Sequence, residues 1–304
     1  MSGTPVITID SISALARRLD LPKPLHPMVA LVNYDHVKVK LTDAGSKISL
    51  NFYKISFKTS FTGRVKYGQG YYDFEEGGLA FLSPNQIVTM SAEAGGYEGY
   101  ALYFHPDLIR GYPLAGLIHQ YGFFAYGVSE ALYLSDKERR VISSLFEAIE
   151  TELQHDTDHF SQDVLVAQLE LLLTYSNRYY NRQFITRKVI YNDMIDRMNK
   201  YLDDRFDAEK SLMSGLPSVQ DLADHLLISA RYLTDMLKSL TGQSAQQHIH
   251  NKLIERAKNI LSVSDRSIAE IAYDLGFEHP QSFNKLFKQK TNMSPSEFRK
   301  SFDI

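Results

Sequence analysis

The chain has 304 residues, enough for two domains with a core each, and its 44% apolar content is that of an ordinary globular protein. It contains no cysteine, which excludes disulfides, Cys-ligated zinc, iron–sulfur clusters and thiol nucleophiles, and fits a reducing compartment. Net charge is −3 but unevenly spread: residues 1–185 hold 16 Lys+Arg against 20 Asp+Glu (−4), and residues 186–304 hold 17 against 16 (+1).

The first twenty residues, MSGTPVITIDSISALARRLD, show no basic run followed by an apolar one, so no signal peptide is expected. The most apolar helical stretch, VLVAQLELLLTY, is shorter than the roughly 20 residues a membrane span needs, and it carries Gln168 and Glu170. The expectation is a cytoplasmic protein with no membrane association.

Residues 25–105 alternate short aromatic and β-branched runs with turn residues: MVALVNY, KISLNFYKISFKT, RVKYGQGYYDF, GLAFLSP, QIVTMSA and YEGYALYF. Gly45, Gly63, Gly68, Gly70, Gly77-Gly78, Pro84-Asn85 and Gly95-Gly96 punctuate them. Many short strands at this spacing predict an antiparallel β-barrel or sandwich. Tyr34, Phe52, Tyr53 and Tyr67 suit a sugar or aromatic ligand and equally suit ordinary packing, so no ligand contact is assigned.

From Ser135 the periodicity becomes helical. Ser135 with Glu138 has capping-box spacing, and Val141, Ile142, Leu145, Phe146, Ile149 and Leu153 follow at three- and four-residue steps. A second helix near 160–182 carries Leu165, Leu169, Leu172, Leu173 and Tyr179. One face of each packs within the chain, and a second face is available to pair two subunits. Helical periodicity restarts beyond 181–193, with a helix over 190–206 and a polar loop, DAEKSLMSGLPS, after it.

The rest of the chain is a repeat. SVQDLADHLLISARYLTDMLKSLTGQSAQQHI (218–249) aligns with SIAEIAYDLGFEHPQSFNKLFKQKTNMSPSEF (267–298). Ser218, Asp221, Ala223 and Leu226 match Ser267, Glu270, Ala272 and Leu275 at an offset of 49. After the turn, Leu233, Leu237, Lys238 and Thr241 match Phe283, Phe287, Lys288 and Thr291 at 50. This predicts a duplicated helix–turn–helix, spanning 218–241 and 267–291, with a linking helix over 244–262. Ser218 and Ser267 serve as N-caps, and Gly242 and Asn292 as left-handed C-caps.

With Leu233, Met236, Leu237 and Leu240 turned inward, Arg231, Thr234, Asp235 and Lys238 face out. In the second unit Phe283, Leu286 and Phe287 turn inward, leaving Gln281, Ser282, Lys285 and Lys288 outward. Such side chains meet the needs of major-groove readout: Gln bonds adenine, Arg or Lys bonds guanine, and Ser or Thr bonds either. Asp235 can accept only from a cytosine amine and otherwise repels phosphate. Within 285–300, Lys285, Lys288, Lys290, Arg299 and Lys300 oppose the single Glu297, a basic patch suited to a polyanion.

IAYDLGFEHPQSFNKLFKQKTNMSPSEFRK resembles, over its full length, the signature of the AraC/XylS family of bacterial transcription regulators. Residues 186–304 look like that family's DNA-binding domain, and the resemblance places base contacts on Arg231, Thr234, Asp235, Gln281, Ser282 and Lys285. HPMVALV, FLSPNQIV, YALYFHPDLIRGYPL and RYYNRQF resemble members that set a cupin-like sensing barrel before two helices. The resemblance implies an α+β protein: a cupin-like effector-binding β domain over 1–134, a helical dimerisation segment over 135–185, and the DNA-binding domain over 186–304. It implies a homodimer on double-stranded promoter DNA, an activator recruiting RNA polymerase, and control by a small-molecule effector. The alternative is a barrel that only dimerises or docks a protein partner.

An enzyme is not expected. Residues 40–100 contain no His, and His26, His36 and His105 lie outside that stretch without the His-x-His step that metal cupins use. His248 and His250 sit on a helix, where two residues of separation turn the rings about 200° apart; they read as surface or DNA-facing residues. No metal and no cofactor is expected.

Overall fold

The computed structural model describes residues 6–37, 46–61, 64–67, 70–73, 77–89, 97–127, 130–206 and 215–302. The turns expected at Gly45, Gly63, Gly68 and Gly95-Gly96, and most of the loop after 206, lie outside the described residues. The architecture is mixed α+β, with sheets in the N-terminal half and a helical C-terminal domain. The chain divides into two compact units, Met1–Gln183 and Phe184–Ile304. Among the described residues no helix is long and apolar enough to cross a membrane.

In the first unit β1 (Val6–Ile9) leads through α1 (Ile12–Arg18) to β2 (Val29–Asn33), then β3 (Lys47–Leu50), β4 (Tyr53–Phe61), β5 (Arg64–Tyr67), β6 (Gly70–Asp73), β7 (Gly78–Leu82), β8 (Ile87–Thr89) and β9 (Tyr97–Phe104). A short helix, α2 (Pro113–Leu117), and β10 (Leu132–Tyr133) follow. A five-stranded sheet runs β10-β7-β4-β9-β2, a three-stranded sheet β1-β3-β8, and β5 pairs with β6. One pairing departs from the expected antiparallel order: β1 lies parallel to β3, Val6 opposite Lys47. A parallel pair needs a crossover, and the stretch containing α1 and β2 supplies it.

Alternation along β4 divides two cores. Tyr53 stacks on Phe104 at 4.8 Å and meets Phe124 at 4.9 Å, and Phe57 meets Phe146 at 5.2 Å. The second core joins Ile9, Ile12, Leu15 and Leu19 to Ile48, Leu50, Phe52, Ala101 and Tyr103.

Helices α3 (Asp136–Gln154) and α4 (Ser161–Thr186) complete the unit. Ser135 and Glu138 form the expected capping box. The last turns of α4 are bolted to the segment before α3. Tyr180 donates its hydroxyl to the Glu130 carbonyl at 3.0 Å, Gln183 accepts from the Tyr133 amide at 2.8 Å, and Arg182 reaches Glu138 and the Tyr133 carbonyl.

The second unit comprises α5 (Lys188–Arg205), α6 (Val219–Leu226), α7 (Ala230–Thr241), α8 (Ala245–Val263), α9 (Ile268–Asp274), α10 (Pro280–Thr291) and α11 (Pro295–Lys300). Leu222, Leu233, Leu237, Leu253, Ala257, Ile271, Phe283 and Phe287 are buried in its core. Phe184 packs edge-on to Tyr191 and Tyr232, whose hydroxyls lie 2.9 Å apart.

Candidate nucleic-acid interface

The two halves of the helical unit repeat each other bond by bond. Ser218 and Ser267 each accept from the amide three residues on, Asp221 and Glu270, and each acid bonds back to the serine amide. Those amide bonds hold both carboxyls below the ordinary range. At the turn, Ile228 N–H bonds the Ala223 carbonyl at 3.1 Å, and Phe277 N–H bonds the Ala272 carbonyl at 3.0 Å. The residue before each is left-handed: Leu227 (φ 61) and Gly276 (φ 89). The second helices end alike, Gly242 N–H on Lys238 and Asn292 N–H on Lys288, each at 2.9 Å with positive φ. The extra residue of the second turn falls before α10, which opens on Pro280 at its first position, where the missing N–H costs nothing.

Buried rows set each second helix on its unit. Tyr232, Leu233, Met236 and Leu237 are buried on α7, and Phe283 and Phe287 on α10, where Leu286 is only half-buried. On the opposite face of α10, Gln281, Ser282, Lys285 and Lys288 are all exposed. The side chains of Gln281, Ser282 and Lys285 make no hydrogen bond or ion pair among the described residues. On α7, Arg231 and Lys238 are exposed, while Thr234 and Asp235 are half-buried. Arg231 Nε lies 2.9 Å from Asp235 Oδ2.

Register adds one residue that the sequence reading passed over. The offset of 50 pairs Thr234 with Asn284, not with Ser282, whose counterpart is the buried Tyr232. Asn284 is exposed, so the outward row of α10 is Gln281, Asn284, Lys285 and Lys288, matching Arg231, Thr234, Asp235 and Lys238 on α7. The repeat itself carried that signal.

Other basic residues of this region serve the fold. Arg299 donates to the Arg266 carbonyl at 2.6 Å, Arg266 pairs with Asp274, and Lys290 donates to Asn251 at 3.0 Å. Asn251 in turn donates to Gln243 at 2.9 Å. The two histidines of α8 are half-buried rather than open to solvent: His248 bonds Thr241 at 2.8 Å and His250 bonds Gln246 at 2.7 Å. Burial lowers both imidazoles, with Lys290 adding to the effect at His250. Helix α8, with 19 residues, spans about 28 Å.

Two family models match. The helix-turn-helix domain model covers residues 222–301, and the AraC-like ligand binding domain model covers residues 51–171. The raffinose operon transcriptional regulatory protein RafR of Pediococcus pentosaceus is 29% identical over 151 residues, 49% of this chain and 52% of that protein. The HTH-type transcriptional activator RhaS of Escherichia coli is 28% identical over 143 residues, 47% of each chain. The chain thus spans about half the length of these curated relatives. The C-terminal domain of the response regulator yesN from Fusobacterium nucleatum is 27% identical, covering 33% of this chain and 95% of that one, at a TM-score of 0.29 too low to bear on the fold. The chain is thus similar to AraC-type regulators, with a stretch that matches an AraC-like ligand binding domain ahead of one that matches a helix-turn-helix domain.

Proposed function

We propose that the protein is a sequence-specific DNA-binding transcription regulator whose two helix–turn–helix units present α7 and α10 to successive stretches of major groove. The observation that carries this reading is the duplicated outward row, Arg231, Thr234, Asp235 and Lys238 on one helix and Gln281, Asn284, Lys285 and Lys288 on the other. A single helix of about 28 Å joins the two units, and successive major grooves on one face of a duplex lie about 34 Å apart.

The N-terminal unit, read as a cupin-like β-barrel, binds a small-molecule effector. A ligand favours one arrangement of the protein only by its difference in affinity for the two. Val164, Ala167 and Leu171 share an exposed, apolar face of α4, and we assign that face to pairing with a second copy in a homodimer. RhaS is named a transcriptional activator; activation of promoters through RNA polymerase is the direction assigned here. The cytoplasm is the compartment consistent with this role.

The experiment is selection of bound duplexes from a randomised library by the full chain. Enrichment of two short conserved tracts about one helical turn apart supports the reading. Binding without enrichment of any sequence overturns it.

A further inference from the structure

Ile109 and Ile118 are buried, and each is followed by an exposed basic side chain, Arg110 and His119. The two isoleucines pin the segment after β9 to its unit, and the side chains that follow them stand at the rim of one cleft. The cleft has a volume of about 500 Å³, and its lining includes Tyr53 at the start of β4, Ile109, Arg110, Ala115, Ile118 and His119. Small-molecule sites commonly have volumes of about 300–1,000 Å³, with apolar walls and a few convergent polar groups. The segment is braced independently of any ligand: the Tyr112 hydroxyl donates to Asp163 at 2.5 Å, and Gln162 donates to the Leu108 carbonyl at 2.8 Å.

Tyr53 is only 6% exposed. Its ring stacks on Phe104 and meets Phe124 edge-on, so the hydroxyl is the end left to reach the cleft. That hydroxyl has no hydrogen-bond partner among the described residues, and burial raises it above its ordinary value, so it keeps its proton and can donate. A sheltered hydroxyl without a partner is costly, and an acceptor in the cleft removes that cost. At the rim, Arg110 pairs through Nη2 with Asp107 at 2.6 Å, which leaves other donors of its guanidinium fork open. His119 makes no hydrogen bond or ion pair among the described residues. Donors thus converge over an apolar floor, and the carboxylate nearest them is already matched by Arg110.

We propose that this cleft is a binding site for a small carboxylate, its anionic group held by Tyr53, Arg110 and His119 and its apolar body resting on Ile109, Ala115 and Ile118. The site goes beyond the effector reading. It lies on the face of β4 that Tyr53 shares with Phe57, away from the core that joins Ile48, Leu50 and Phe52.

The test is calorimetric titration of the full chain with benzoate and hexanoate, against benzyl alcohol, hexanol and inorganic phosphate. At least one carboxylate should bind saturably, and its alcohol counterpart and phosphate should bind far more weakly. Tyr53→Phe keeps the stacked ring and removes only the hydroxyl, and it should weaken the carboxylate about fivefold to tenfold. Arg110→Gln, at an exposed ion pair of little worth to the fold, should weaken it about tenfold or more. Unliganded melts report whether each variant folds. Carboxylate binding that both variants leave unchanged places the ligand elsewhere and overturns the proposal. Equal binding of the alcohols overturns the anionic class, and equal binding of phosphate overturns the role of the apolar floor. No binding of either carboxylate, by a chain that still selects DNA, overturns the site while the DNA-binding reading stands.

Discussion

Arg231 and Asp235 neutralise each other across one turn of α7, Nε to Oδ2 at 2.9 Å, whereas the same register on α10 holds Gln281 and an exposed Lys285. Two copies of one unit therefore carry different fields on their outward rows. The second is cationic, and the first has its arginine engaged by its own helix. Replacing Asp235 with Asn should release the guanidinium toward phosphate. Overall binding should tighten, and the slope of log K against log salt should steepen by about one. Titrations between 50 and 200 mM salt, roughly the range in which such slopes are read, check this. Weaker binding with lost preference at one base pair would instead make Asp235 a reader of a cytosine amine.

The matched turns give a paired stability prediction. Gly276 has φ 89, and a Cβ there would sit 2.9 Å from the Gly215 carbonyl carbon and 3.0 Å from the Leu216 nitrogen. Gly276→Ala should cost about 2–3 kcal/mol, from the conformation and the backbone clash together. Leu227 occupies the same place in the first unit at φ 61 and is 57% exposed. Left-handed backbone is strained for leucine and little packing is at stake, so Leu227→Gly should add about 0.5–1 kcal/mol. Urea midpoints of the two variants test both signs.

What was legible in the sequence was local. Capping boxes at Ser135, Ser218 and Ser267 and left-handed ends at Gly242 and Asn292 formed as read, because each depends on residues at most four apart. The parallel pairing of β1 with β3 was not legible, since it joins residues some forty positions apart through a crossover that periodicity does not reveal. The Arg231–Asp235 pair sits at a spacing that favours ion pairs, but two outward polar residues read the same way whether they bond each other or wait for a ligand. Leu227 gave no signal at all: only the bond from Ile228 N–H to Ala223 shows the left-handed turn that the second unit assigns to a glycine.

Gln183 is a buried polar residue whose amide has work at both ends, accepting from the Tyr133 amide at 2.8 Å and donating to the Ala131 carbonyl at 3.3 Å. Gln183→Leu keeps the volume but leaves both backbone groups without this partner. The expected loss is about 2–4 kcal/mol, measured by denaturant unfolding of the full chain. A loss under about 0.5 kcal/mol would mean that water replaces the amide at no cost.

Lys58 sets a pH dependence with a definite sign. Its ammonium is lowered to about 8 by burial and by Lys54, against about 10.4 in an unfolded chain. Between those values the unfolded state binds more protons, so stability rises with pH there. The cost of sheltering the charge is present in full below about pH 8 and is relieved above it. Burial raises the hydroxyls of Tyr53, Tyr100, Tyr179 and Tyr201, so stability falls again above about pH 10 as the unfolded chain gives up those protons first. Lys58→Met should therefore exceed wild type in stability by about 1–2 kcal/mol at neutral pH, allowing for screening at this half-buried site, with the gap closing toward about pH 9.5. Melting curves from pH 7 to 9.5 give the answer, and a gap independent of pH would contradict it.

The most direct test of DNA reading by the duplicated helices is duplex selection repeated with Lys285→Ala beside wild type. Lys285 is exposed at the centre of the outward row of α10, and its loss leaves the core of the unit untouched. The selected sequences should keep every tract but one base position, where preference relaxes by about 1–3 kcal/mol. An unchanged consensus bound with unchanged affinity would contradict the assignment of α10 as a reading helix.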